Sequence, residues 1–105
     1  MGKKTSKRGY NSRPLVPMND HAYERFREHW PSSAYLYDSE IQFLLSDQIV
    51  DALDRNDFVV APGGVYVPIS IMGEDGYAVL VEQIIRTVMP LRFCQEVEQA
   101  RKNKT

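Results

Sequence analysis

GEDGYAVLVEQIIRTVMP, Gly73 to Pro90, is the stretch on which the fold turns. Two glycines bracket an acidic pair, and an almost unbroken apolar run follows, interrupted by Glu82-Gln83 and Arg86-Thr87. Gly73 to Gly76 reads as a loop, and Asp75 is a residue type that caps a helix amino terminus. Projected as a helix, the run leaves only Glu82, Gln83, Arg86 and Thr87 facing water, so a mostly buried helix is expected. Pro90 then either kinks that helix or opens another, which carries Phe93, Cys94 and Val97 inward and frays through Ala100 to Thr105.

Upstream, Phe58 to Ala61 and Val65 to Ile71 are rich in β-branched residues on either side of Pro62-Gly63-Gly64, the pattern of a hairpin. Val65, Val67, Ile69 and Ile71 share one face. Pro68 cannot donate to a ladder, so its strand belongs at a sheet edge or carries one interruption. Before the hairpin, Ile41, Leu44, Leu45, Ile49, Ala52 and Leu53 recur at helical spacing to about residue 55. Ser39 with Gln42 gives that helix a capping box, and Asn56 closes it in a left-handed cap.

Earlier still, Asn19 or Asp20 caps a helix over DHAYERFREHW, with Ala22, Phe26 and Trp30 every fourth residue until Pro31 stops it. Ser33 to Tyr37 alternates in the manner of a short strand. The expected fold class is therefore α+β: a small single domain, about four helices around a β-hairpin or a short antiparallel three-stranded sheet. With 105 residues there is room for one core and not for two ordinary domains.

Charge is segregated along the chain. Of thirteen cations, Lys3, Lys4, Lys7, Arg8 and Arg13 lie at the start and Arg101, Lys102 and Lys104 at the end. Five remain between residues 14 and 100 against all fourteen acids, a formal charge of −9. The division that follows is a flexible basic arm over 1–17, an acidic globular domain over 18–100 and a basic tail over 101–105. Glu40, Asp47, Asp51 and Asp54 project to one narrow stripe of their helix, an exposed acidic edge.

Several chemistries lack their residues. A single cysteine, Cys94, allows neither an internal disulfide nor a cysteine zinc cage, and fits a reducing, cytoplasmic setting. His21 and His29 stand eight apart, too far to converge on one ion from one helix; Arg25 with Glu28, or Glu24 with Arg27, makes a salt-bridged surface instead. PGG lacks the Lys-Ser/Thr continuation of a phosphate loop, GEDG lacks the spaced oxygens of a calcium loop, and no nucleophile elbow occurs. No catalytic group, metal or cofactor is expected. A winged-helix reading fails because the would-be reading helix displays four carboxylates to a phosphate backbone.

Two functional expectations remain. In the first, a non-enzymatic interaction protein docks an acidic face, Glu40, Asp47, Asp51 and Asp54 with Tyr35, Tyr37 and Tyr66, onto the basic surface of a larger nucleic-acid-handling protein and modulates or inhibits it. Small accessory proteins of phages offer an analogy of size and charge for this role. In the second, Lys3, Lys4, Lys7, Arg8 and Arg13 contact phosphates of a nucleic acid, with Tyr10 stacking on a base. Met1-Gly2 and Ser6 also match an acyl-acceptor pattern, but bulky Lys3 beside the glycine disfavours it, and no membrane partner is expected.

Overall fold

The computed structural model describes residues 14–104. Two-residue turns and β-branched pairs build the centre of the domain as an antiparallel meander: β1 (Val59–Ala61), β2 (Gly64–Ile71), β3 (Glu74–Val81) and β4 (Ile84–Pro90), in that spatial order. Before it come α1 (Asp20–His29), a 3-10 turn (Pro31–Ser33) and α2 (Asp38–Asp54); after it come a second 3-10 turn (Leu91–Phe93) and α3 (Gln95–Lys104). The α+β class is as expected, with three α-helices and a four-stranded antiparallel sheet among the described residues in place of about four helices and a hairpin or three strands.

The difference lies in Gly73 to Pro90, which forms β3 and β4 and not a buried helix. Residues Gly76 to Leu80 are buried on both faces of the sheet, so their apolar run carries no period of two. Glu82 and Gln83 make the turn between the strands with φ of 54° and 67°, the two left-handed residues of a tight hairpin. Met72 and Gly73 do the same between β2 and β3, with φ of 53° and 83°. Pro90 ends β4 and does not kink a helix.

One face of the sheet holds the core. Val67, Ile69, Ile71, Ala78, Leu80, Ile85 and Val88 meet Ala22, Phe26 and Trp30 from α1 and its cap, and Ile41, Leu45, Ile49 and Ala52 from α2. Asn19 caps α1 by accepting from the Ala22 amide at 2.9 Å. Phe26 and Trp30 stack at 5.5 Å between centroids, and Trp30 lies over Gly76, the one residue of β3 small enough for that approach. The indole Nε1 donates to the Glu74 carbonyl at 3.2 Å, fixing the ring's direction.

The amino-terminal lead-in belongs to this fold from Val16 onward. The Val16 amide donates to Ser46 Oγ at 2.7 Å, Gln42 donates to the Val16 carbonyl at 2.9 Å, and Ile85 donates to the Pro17 carbonyl at 2.8 Å. Gln42 is thus occupied away from the capping box expected of it. The cap of α2 is Tyr37, whose amide donates to the Glu40 carboxylate at 2.9 Å. At the other end Asn56 takes φ 59°, and Asp57 donates back to the Ala52 carbonyl at 2.8 Å, closing a Schellman cap.

Ser33 to Tyr37 is not a strand. Pro31 starts a 3-10 turn with Ser33 donating to Trp30 at 2.9 Å, and Arg27 donates to the Ala34 and Leu36 carbonyls at 3.3 and 2.6 Å. Those acceptors are what a neighbouring strand would have needed. Pro68 shows the reverse economy. Gln48 holds both the amide and the carbonyl of Ser70, which therefore point away from β3. Two residues earlier the Pro68 nitrogen points the same way, beyond the end of β1, so no ladder bond is lost.

Candidate interaction surface

On α2 the buried residues Ile41, Leu45, Ile49 and Ala52 face the sheet. Glu40, Asp47, Asp51 and Asp54 project within an arc of about 60° on the opposite side of the helix. Glu40, Asp47 and Asp54 are exposed and Asp51 is half-buried. Glu40 has a second duty as the capping carboxylate just described. Asp38, beside it, takes Arg27 at 2.8 Å.

Tyr35 and Tyr37 flank the half-buried Leu36 immediately before this helix and are 75% and 76% exposed. Exposed to that degree, both rings contribute little to the core. A shallow cleft of about 340 Å³ beside them is lined by Leu36, Ser39, Glu40, Phe43 and Leu44. Two exposed tyrosines, with Glu40 bonded to the Tyr37 amide, thus mark the amino-terminal end of the acidic edge. Tyr66 does not join them: it is half-buried on the second face of the sheet, edge-on to Tyr77 at 6.4 Å. Lys3, Lys4, Lys7, Arg8 and Arg13 lie outside the described residues.

A polar cluster on the second face was not expected from the sequence. Arg101, assigned there to a tail, lies in α3 and donates to Asp57 through Nε at 2.7 Å and Nη2 at 3.0 Å. The Tyr77 hydroxyl donates to Glu98, which also lies 3.6 Å from Arg101. The guanidinium holds the Asp57 carboxyl below the usual carboxylate range, and burial together with the Glu98 contact pushes the Tyr77 phenol up to about 12. An open cavity of about 240 Å³ adjoins the cluster, with Gln48, Arg55, Pro68 and Asp75 also on its walls. Within the cluster Arg101 pairs with both Asp57 and Glu98, and Tyr77 donates to Glu98. The signal that could have found it is long-range, since Asp57 and Arg101 stand 44 residues apart.

Among the described residues no three His, Cys, Asp or Glu side chains gather about a metal-sized point. Cys94 is buried, and burial with the nearby Glu98 raises its thiol pKa, the opposite of nucleophile activation. His29 rests its ring edge-on against Phe93 at 5.5 Å and Trp30 at 6.5 Å. Arg25 pairs with Glu28 as expected, whereas Arg27 bridges to Asp38 instead of Glu24.

No protein-family model matches the chain, and neither do the curated proteins or the solved structures. Roles for its residues therefore come from their chemistry and placement alone.

Proposed function

We propose that this is a non-enzymatic interaction protein that docks the Tyr35 and Tyr37 end of α2, with its acidic edge, onto a basic surface of a larger protein and modulates or blocks it. The observation that carries this reading is the exposure of two tyrosines, 75% and 76%, beside Glu40. A tyrosine combines a large apolar ring with a hydrogen-bonding tip and loses little entropy on docking, which is why such rings concentrate at protein interfaces. Carboxylates around them steer a cationic partner and reject an anionic one. The basic surfaces common in cells belong to proteins that handle nucleic acid, and these are the partner class.

The partner sign rests on the excess of fourteen acids over five cations, Arg25, Arg27, Arg55, Arg86 and Arg92, between residues 14 and 100. Arg25, Arg27 and Arg55 are engaged with Glu28, Asp38 and Asp57, and Arg92 lies over the Phe93 ring at 4.9 Å. Affinity capture on the full chain from lysate of its native host, after nuclease treatment, tests the reading. The expected result is a partner with a basic surface that is retained by the wild type and lost by Tyr35→Ala/Tyr37→Ala and by Asp47→Lys/Asp54→Lys. Equal capture by all three proteins would contradict it. Capture that vanishes with nuclease would move the activity to the basic residues of 1–13.

A further inference from the structure

The two faces of the sheet are held down very differently. Over the first, α1 and α2 each insert several wholly buried apolar side chains. Over the second, α3 brings only Val97: among residues 95–103 every other apolar position, Ala100, is exposed, and Cys94 precedes the helix. Gaps lie on both flanks of α3. One is the cavity of about 240 Å³ next to Tyr77, Glu98 and Arg101, and the other, of about 380 Å³, is lined by Tyr66, Met89, Phe93, Cys94 and Val97. Each could hold several waters at about 30 Å³ apiece.

What fastens the helix is polar and wet. Arg101 grips Asp57 with two hydrogen bonds, and Glu98 accepts from Tyr77, but the Asp57, Glu98 and Arg101 side chains keep 25%, 23% and 34% of their surface in water. Ion pairs that solvent reaches are worth far less than buried apolar contacts. Local stability in a domain follows this contrast, and the element with few buried apolar contacts opens first.

We propose that α3, with its lead-in at Leu91 to Cys94, is a displaceable strap. It lifts as a unit from the second sheet face and uncovers Tyr66, Tyr77, Val79 and Met89 while the face packed by α1 and α2 stays folded. The two ends of the strap differ. At its carboxyl-terminal half the Arg101 and Asp57 fork sets the closed position, and at its amino-terminal end Cys94 is 3% exposed and is the chain's sole cysteine. The strap thus carries its own reporter. Closed, Cys94 is shielded and its thiol is held protonated by burial; lifted, it meets solvent as an ordinary thiol. Cys94 ties the lead-in to the helix, its amide donating to the Leu91 carbonyl and its carbonyl accepting from the Glu98 amide, both at 2.8 Å, so the two pieces move together.

The test is thiol alkylation of the native full-length protein with iodoacetamide at fixed pH, alongside hydrogen exchange read by mass spectrometry. In the wild type, Cys94 labelling is expected at least tenfold faster than the opening that releases the Val67 and Ala78 amides, with a shallower dependence on urea, because lifting a strap exposes little surface. Arg101→Ala is expected to accelerate labelling about tenfold, the loss of a charge-assisted fork, with the central-strand amides changed less than twofold. A wild-type labelling rate that follows the urea slope of the central strands would show that Cys94 opens only with the whole domain and would overturn the proposal. An unchanged rate in Arg101→Ala would overturn the fork as its fastening.

Discussion

Replacing Gly76 by alanine separates the strand from the helix by sign. In a helix capped by Asp75, Gly76 would stand at the first helical position, where alanine is a better helix former than glycine and meets no overlying strand, so the change is neutral to favourable. In the hairpin, a Cβ at position 76 would stand 2.4 Å from the Met89 carbonyl oxygen and 2.8 Å from Trp30 Cη2 and Cζ2. The first contact is backbone of the neighbouring strand, and the second is a ring that is 1% exposed and pinned through Nε1. Neither can yield without moving the ladder or the helix cap. Overpacking of a filled core costs about 1 to 3 kcal/mol, and two unyielding neighbours place this one near the top of that range. A smaller unfolded-state gain of about 0.4 to 1 kcal/mol offsets part of it. A net loss of about 2 kcal/mol lowers the melting temperature by roughly 10 °C in a domain of this size. Trp30, the chain's single tryptophan, touches the site, so urea unfolding followed by its fluorescence reads the change directly. An unchanged or higher midpoint in Gly76→Ala would refute the packing of Trp30 on β3.

The Glu82-Gln83 turn carries two non-glycine residues at positive φ, so Glu82→Asn/Gln83→Gly is expected to stabilise the fold by about 1 kcal/mol, seen as a raised urea midpoint with unchanged slope. The Tyr77 phenol, raised to about 12 by burial and by Glu98, keeps its proton longer in the folded chain than in the unfolded one. Stability is then level below the ordinary tyrosine pKa of about 10 and falls as pH climbs from there towards 12. Absorbance near the tyrosinate band should show one of the six tyrosines ionising last, and Tyr77→Phe should remove both that step and most of the alkaline slope.

What could be read from the chain was what local rules write into it. α1 and α2 declared themselves through spacing and one cap each: Ala22, Phe26 and Trp30 lie at four-residue intervals under Asn19, and α2 ends in the left-handed Asn56, although it starts at Tyr37 with Glu40 and not at Ser39 with Gln42. The first hairpin was legible in Pro62-Gly63-Gly64, and the shared face of Val65, Val67, Ile69 and Ile71 follows from its alternation. The second was hidden twice over. Its turn uses Glu82 and Gln83, which carry no turn signature, and β3 is covered on both faces, so an unbroken apolar run stood where alternation would have marked a strand.

The same limit governs the surfaces. Tyr35 and Tyr37 were singled out by type, but only the 3-10 turn, and Arg27 holding the Ala34 and Leu36 carbonyls, explains why both rings end in solvent. Tyr66 lies elsewhere because the β2 register turns it towards Val79 and Tyr77. Asp57 and Arg101 had no local mark at all. Their pairing depends on α3 reaching back to the end of α2 across the sheet, which no short window contains.

Docking through the Tyr35 and Tyr37 end of α2 is tested most directly by placing a photoreactive phenylalanine analogue at position 35 and irradiating the full chain in native lysate. Position 60, where Val60 is 73% exposed on the edge strand β1, provides the control site. The account predicts a cross-linked protein with a basic surface from position 35, none from position 60, and loss of the adduct in Asp47→Lys/Asp54→Lys. Adducts of equal yield from both positions, or an adduct at position 35 indifferent to the charge reversal, would contradict it.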